Sequence, residues 1–196
     1  FVLFLAGIRW RIMLSLMFLF SLMAPLLWKF ALHDYQRSRI LTMFNPESDP
    51  LGSGYHIIQS KIAIGSGGAY GKGWLNGTQS QLDFIPERST DFIFSVFGEE
   101  FGFFGSVVLI LLYLSIIFRG LYIATRSKDN FGRLVAGAIS LTFFVYLFVN
   151  VGMVSGMLPV VGVPLPLISY GGTSMVTLLT GFGLIMSIRS AKRFMG

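Results

Sequence analysis

Carboxylates stand where a polar run meets an apolar one. Residues 84–100 read FIPERSTDFIFSVFGEE. The polar stretch 86–91 ends at Asp91, apolar residues follow, and Glu99 and Glu100 come before apolar sequence resumes. A carboxylate at the edge of a low-dielectric slab holds its proton more tightly than one in water. That property suits a general base or acid. A simpler reading is that Thr90 or Asp91 caps the helix that follows. Spacing alone leaves both readings open. Glu99 and Glu100 are either anchors at a span boundary or groups facing a cavity, since ionisable residues inside a membrane are functional candidates.

The elements that must position these groups are apolar helices. Hydrophobic residues make up 54% of the 196-residue chain and charged ones 12%. A soluble domain averages about 25% charged, and mean hydropathy is +0.71. The expected layout is a helix remnant and turn over 1–11 and a span over 12–30, with Pro25 kinking it near Met23. A large structured loop over 31–100 follows. Spans at 101–124 and 134–154, a loop at 155–166, a span at 167–188 and a tail at 189–196 complete it. The segment 91–105 could instead be a re-entrant piece before the true span. FVLFLAGI at the start is too short to span a bilayer, which needs about 20 residues. The chain therefore reads as a piece lacking an N-terminal portion.

Charge placement orients the layout. Arg9 and Arg11, then Arg119, Arg126, Lys128 and Arg133, then Arg189, Lys192 and Arg193 share one side, opposed only by Asp129. Lys29, Arg37, Arg39, Lys61, Lys72 and Arg88 share the other side with the remaining carboxylates. The positive-inside rule puts the tail in the cytoplasm and the long loop outside. That loop exceeds the roughly 12 to 15 residues of a simple connector, so it is expected to be structured. Within it, residues 55–64 (YHIIQSKIAI) predict a short helix with Tyr55, Ile58 and Ile62 on one face, lying at the membrane surface.

Other constellations are weaker. Gly65-Ser66-Gly67-Gly68 and Gly71-Lys72-Gly73 lack P-loop spacing, and no Ser or Thr follows Lys72. Tight turns explain them, although backbone amides there could approach a diphosphate. His33 and His56 have no metal-ligand spacing. With no Cys there is no thiolate site. Asn150 is the one strongly polar side chain within 141–154 and is expected to make an interhelical hydrogen bond. Residues 157–167 hold Pro159, Pro164 and Pro166 with no charge. They predict a rigid, partly buried segment lining an outer cavity beside Asp91.

Three runs together resemble the SEDS family (shape, elongation, division and sporulation). They are DPLGSGYHIIQSKIAIGSGGAYGKGW at 49–74, PERSTDFIFSVFGEEFG at 86–102 and NVGMVSGMLPVVGVPLPLISYGGTS at 150–174. The resemblance covers essentially the whole chain. It is to the elongation branch, because the division branch usually has Ala-His where Arg88-Ser89 stand. It implies an all-α polytopic membrane protein, with about four full transmembrane helices and the large loop forming the C-terminal half of a ten-helix fold. The implied activity is peptidoglycan glycosyltransfer, polymerising lipid II by inverting sugar transfer from an undecaprenyl-diphosphate donor. The family's proposed catalytic Asp falls on Asp91, with Glu87 as the rival base. A lone carboxylate without a second at fixed spacing fits inversion better than a retaining pair. Candidate substrate contacts are Glu87, Arg39, Gln59, Ser60, Lys61 and Lys72, the cations facing the diphosphate. No cofactor is fixed, though a divalent cation such as Mg2+ would assist. Implied partners are a class B penicillin-binding protein transpeptidase and other elongation-complex membrane proteins, with no nucleic acid. The implied place is the bacterial cytoplasmic (inner) membrane. Two competing readings are a lipid-linked precursor flippase, disfavoured by spans nearly free of charge, and a non-catalytic scaffold.

Overall fold

The computed structural model describes residues 7–49, 52–81, 87–127 and 129–194. Residues 1–6 of the expected helix remnant and turn, residues 50–51 and 82–86 of the long loop, Lys128 and residues 195–196 of the tail lie outside the described residues. Among those described, all regular structure is helical. In chain order the helices are α1 (Trp10–Phe30), α2 (Asp34–Phe44), a 3₁₀ turn (Pro46–Ser48), α3 (Ser53–Ser66), a single turn α4 (Thr78–Gln81), α5 (Ile93–Arg126), α6 (Asn130–Val154) and α7 (Gly172–Phe194). Four of them, α1, α5, α6 and α7, are long and apolar enough to cross a membrane. The molecule is a multi-pass membrane protein.

Each boundary has a local cause. α1 is helical through Pro25. Arg37 then donates to the Lys29 carbonyl at 2.8 Å, satisfying one of the last carbonyls of α1. Asp129 caps α6 by accepting from the Gly132 amide at 3.2 Å. The short link between α5 and α6 makes them antiparallel neighbours. Small residues set their closest approach: a Cβ on Gly120 would strike the Ser140 hydroxyl. In lipid such close contact carries helix association, because lipid tails are as apolar as the side chains.

One boundary agrees with expectation and another needs correction. The helix that holds the second span starts at Ile93 and so includes Glu99 and Glu100. It breaks at Gly102 (φ 68, ψ −163), which sets 93–101 apart as a short piece before the apolar stretch, the alternative given for 91–105, and leaves the stretch after the break close to the expected 101–124. The last span begins at Gly172, not at 167, and Leu167 itself has a positive φ of 67. The helix expected over 55–64 exists as α3; its packed face is Gly54, Ile57, Ser60 and Ala63, and the Tyr55, Ile58 and Ile62 face lies off it, with Ile62 exposed. Small residues let α3 lie close to its neighbours. Gly67, at the end of α3, meets the Gly98 carbonyl so closely that a Cβ has no room.

The main core joins α3, α5, α6 and the connection from α6 to α7. Ile57, Phe92, Phe94, Tyr113, Phe143, Met153, Val160 and Leu165 are all buried in it. That connection, residues 155–171, is called the strap below.

Candidate functional site

Residues 87–92 form the turn that feeds α5. Glu87 takes a positive φ of 55, and its carbonyl accepts from the Thr90 amide at 3.1 Å and the Phe92 amide at 3.3 Å. Thr90 also donates its hydroxyl to the Glu87 carboxylate at 2.8 Å. The helix cap falls on Phe92 and makes no side-chain hydrogen bond. The capping alternative for Thr90 or Asp91 is thereby removed. Among the described residues no hydrogen bond reaches the Asp91 carboxylate, which is half-buried. Burial pushes its pKa up, and the nearby Glu87 charge adds to the rise.

The strap closes over this turn. A Cβ at Gly162 would stand 3.1 Å from the Asp91 Oδ2, so the glycine backbone abuts the carboxylate. Gly162 has φ +74, which also favours glycine. The turn's carbonyls hold the strap in place. Tyr170 donates its amide to Ser89 O at 2.8 Å. Ser169 donates its hydroxyl to Thr90 O at 2.5 Å and accepts from the Leu165 amide at 2.7 Å. Asn150, fully buried on α6, donates to Asp91 O at 2.8 Å and to Val163 O at 2.7 Å. Tyr113 on α5 donates its hydroxyl to Pro166 O. The proline-rich segment therefore does lie beside Asp91, as its composition suggested. The Asn150 bond reaches main chain at the site rather than another helix's side chain.

Two of the candidate cations meet the strap. Arg39 donates to Val160 O at 2.8 Å and stacks over the Tyr35 ring at 4.6 Å. The Lys61 side chain lies against Gly156, where a Cβ would clash with its Cε. Lys72 is elsewhere engaged. Its ammonium donates to Glu99 Oε1 at 2.7 Å and to Thr78 Oγ1 at 2.8 Å. Glu99 is fully buried and accepts further from the Gln79 amide at 3.0 Å and Thr78 at 3.1 Å. Ser60 is buried too, donating to Ile57 O at 3.0 Å and Val154 O at 2.8 Å. Gln59 is half-buried beside it. Glu87 thus stands on the Asp91 turn and Arg39 and Lys61 touch the strap, whereas Lys72 is paired with Glu99 and Ser60 bonds main-chain carbonyls.

The glycine run is also structural. The amides of Lys72 and Gly73 donate to Glu99 O at 3.0 Å and Glu100 O at 2.9 Å, and the amides of Phe103 and Phe104 donate back to Gly68 O and Ala69 O. The break at Gly102 frees those backbone groups of α5, and the loop satisfies them. Its amides are therefore not turned toward a diphosphate.

Sequence reasoning did not single out Gly162, Ser169 or Tyr113. It also passed over His56 as a neighbour of the site. Its ring packs 5.8 Å from that of Phe92, and its buried Nδ1 has no partner. Burial lowers its pKa, and Asp49 opposes that shift. A cavity of about 540 Å³ lies among α5, α6 and α7, lined by Ser115, Arg119, Phe143 and Met186 among others. A second of about 370 Å³ reaches the strap at Pro164 and Pro166. Neither is lined by Asp91. Among the described residues no group of three His, Cys, Asp or Glu could hold a metal ion.

Comparison with known proteins gives a consistent picture. The family model FtsW/RodA/SpoVE, described as cell cycle protein, matches residues 1–194. The chain is 58% identical over 195 residues to the peptidoglycan glycosyltransferase MrdB of Escherichia coli K12, covering 100% of this chain and 53% of MrdB. It is 48% identical over 167 residues to the peptidoglycan glycosyltransferase RodA of Treponema pallidum, covering 85% of this chain and 39% of that protein. A chain in a solved peptidoglycan synthase complex, described as coordinating polymerization and crosslinking, superposes with a TM-score of 0.77 at 37% identity. That match covers 97% of this chain and 52% of the other. The chain spans about half the length of the curated relatives it matches.

Proposed function

The chain belongs to the FtsW/RodA/SpoVE family of cell cycle proteins, and from that membership we propose that it forms part of a RodA-like peptidoglycan glycosyltransferase with Asp91 as general base. The substrate is lipid II, and the role is glycan polymerisation during elongation and maintenance of rod shape. One observation carries the assignment to Asp91. Its carboxylate is half-buried, serves no helix cap, and stands against the strap with a raised pKa.

In this reading the acceptor sugar's 4-hydroxyl gives its proton to Asp91 as its oxygen attacks the donor anomeric carbon. The bond from that carbon to the diphosphate breaks, and the lipid diphosphate leaves with the electron pair. Configuration inverts and no covalent enzyme intermediate forms. Arg39 and Lys61, both at the strap, are the cations best placed to meet the developing charge. Lys72 is already paired with Glu99. A divalent cation such as Mg2+ carried in with the substrate's diphosphate would supply further positive charge there.

The chain's place is the bacterial inner membrane, with α2, α3, the Asp91 turn and the strap outside and the C-terminal end of α7 in the cytoplasm. Partners are a class B penicillin-binding protein transpeptidase and other membrane proteins of the elongation complex. The solved complex that couples polymerization to crosslinking supports a crosslinking partner.

The test uses full-length protein with its partner, matched for membrane level and assayed on lipid II. Asp91→Asn should lower polymerisation by roughly 10² to 10⁴, the range for losing a general base. Glu87→Gln should cost less. Near-normal polymer from Asp91→Asn overturns the assignment. A dead Glu87→Gln beside an active Asp91→Asn moves the base to Glu87.

A further inference from the structure

We propose that Asn150 is a positioning residue for this reaction: its side-chain amide clamps the strap to the Asp91 turn and so sets where the Asp91 carboxylate stands. The inference rests on the reading of Asp91 as base. Asn150 sits on α6, 59 positions from Asp91 and 13 from Val163. Its nitrogen donates to Asp91 O at 2.8 Å and to Val163 O at 2.7 Å. Two carbonyl acceptors fix the amide's orientation, because only the NH₂ end has hydrogens for both. The Oδ1 at the other end is buried without a partner. A buried polar atom left unpaired is costly. A side chain kept purely for packing would carry no such atom, so the two donations are what the position requires.

The geometry of the clamp leads to the carboxylate. Val163 follows Gly162, whose missing Cβ would stand 3.1 Å from Asp91 Oδ2. One amide thus fixes the main chain of Asp91 and the main chain of the wall against its carboxylate. Ser169 closes the strap's far end on Thr90 O. Together they keep the strap seated and water partly away from Asp91. A shift of about 1 Å in such a group can cost about 10² in rate.

The discriminating readout is the acid limb of the pH–rate profile. The charge that acts on Asp91 is that of Glu87 on its own turn, which also carries Arg88; on α3, His56 packs on Phe92, with Asp49 acting on the histidine. Arg39 of α2 reaches the strap at Val160. The strap itself carries only Tyr170 as a titratable side chain. An unseated strap hydrates Asp91 and removes the burial that raises its pKa, so the acid limb moves to lower pH. A merely structural asparagine would leave a smaller active fraction with an unchanged profile.

Full-length protein with its partner, assayed on lipid II, tests this with Asn150→Leu, Asn150→Gln and Ser169→Ala. Asn150→Leu should lower polymerisation by about 10² and move the acid limb down. Asn150→Gln, which keeps both donors, should recover part of both effects. Ser169→Ala should shift the limb in the same direction from the other end of the strap. Reduced activity with a wild-type acid limb in all three overturns the clamp, as does failure of both Asn150→Leu and Ser169→Ala to accumulate in the membrane. Asp91→Asn in the same assay separates the two ideas. If it polymerises normally, the base assignment has failed. If it is inactive while the Asn150 and Ser169 profiles do not move, only the clamp has failed.

Discussion

At the scale of the residue, a half-buried carboxylate that caps nothing works against the fold that holds it. Burial, and then the Glu87 charge, raise the Asp91 pKa. A raised acid contributes stability that is complete below its unfolded pKa, about 3.9. That contribution is lost as pH rises through the folded value. At neutral pH the ionised Asp91 is therefore a net cost, and Asn, of the same size and uncharged, removes it. Asp91→Asn in full-length protein should melt at or above the wild-type temperature at pH 7, with the gap closing below about pH 4. A thermal melt in detergent across that range reads it. A variant clearly less stable at pH 7 would place Asp91 among the structural groups. Asp91 was legible in the sequence because it stands at a step in polarity. Asn150 was legible as a lone polar side chain, but its acceptors were not, since both are main-chain carbonyls, one of them 59 positions away. Gly162 and Ser169 gave no signal for the same reason. Ser60 looked available by type, yet the helix face it lies on is the packed one.

At the scale of the element, the segment 67–79 and the break in α5 are one unit. Gly102 at φ 68 interrupts the helix, and Gly71 approaches Glu100 O too closely for any side chain. Glu99 then enters a buried site closed by Lys72, Thr78 and Gln79. Removing one partner of a buried pair leaves an uncompensated charge, at a cost of about 3 to 5 kcal/mol. Lys72→Met should therefore destabilise strongly, while Lys72→Met with Glu99→Gln should regain much of the loss. Melts of the two single variants and the double variant give the coupling. Simple additivity would show that the pair is not what binds the loop to α5. This unit explains why a helix stands before the break where the sequence reads as loop. Two adjacent glutamates read as the end of apolar sequence, and nothing local shows that a lysine 27 positions earlier accompanies one of them inside. Gly102→Ala tests the break itself. At a positive φ with the backbone of Gly71 against it, alanine should lower membrane levels of folded protein well below those of Gly183→Ala, where φ is ordinary and a Cβ meets nothing within 4 Å. Equal levels would mean the break is tolerant of a side chain.

At the scale of the whole molecule, four apolar helices and the spread of charge decide how the chain meets the bilayer. Helix existence was readable because runs of about 20 apolar residues have few alternatives. Which helix faces pack was not, because Gly120, Gly67 and Gly181 set contacts by what they lack. Orientation rests on the cations. Arg119, Arg126 and Arg133 flank the link between α5 and α6, opposed there by Asp129 alone, whereas the link between α1 and α5 mixes both signs. A charge bias in short links orients a membrane protein with its basic side in the cytoplasm. The prediction follows for Asn76, exposed in the loop before α4, and Asn130, exposed at the start of α6. The chain has no cysteine of its own, so one introduced in this part of the chain labels without background from it. In full-length protein whose other cysteines are replaced, Asn76→Cys should react with an impermeant thiol reagent from outside the cell. Asn130→Cys should react only after the membrane is opened. α5 alone separates the two positions, so a single crossing is tested. Equal labelling of both in intact cells would remove α5 as a span and place the Asp91 turn and the α5–α6 link on one side. Labelling of Asn130→Cys alone would invert the molecule and put Asp91 in the cytoplasm, where glycan strands are not assembled into the wall.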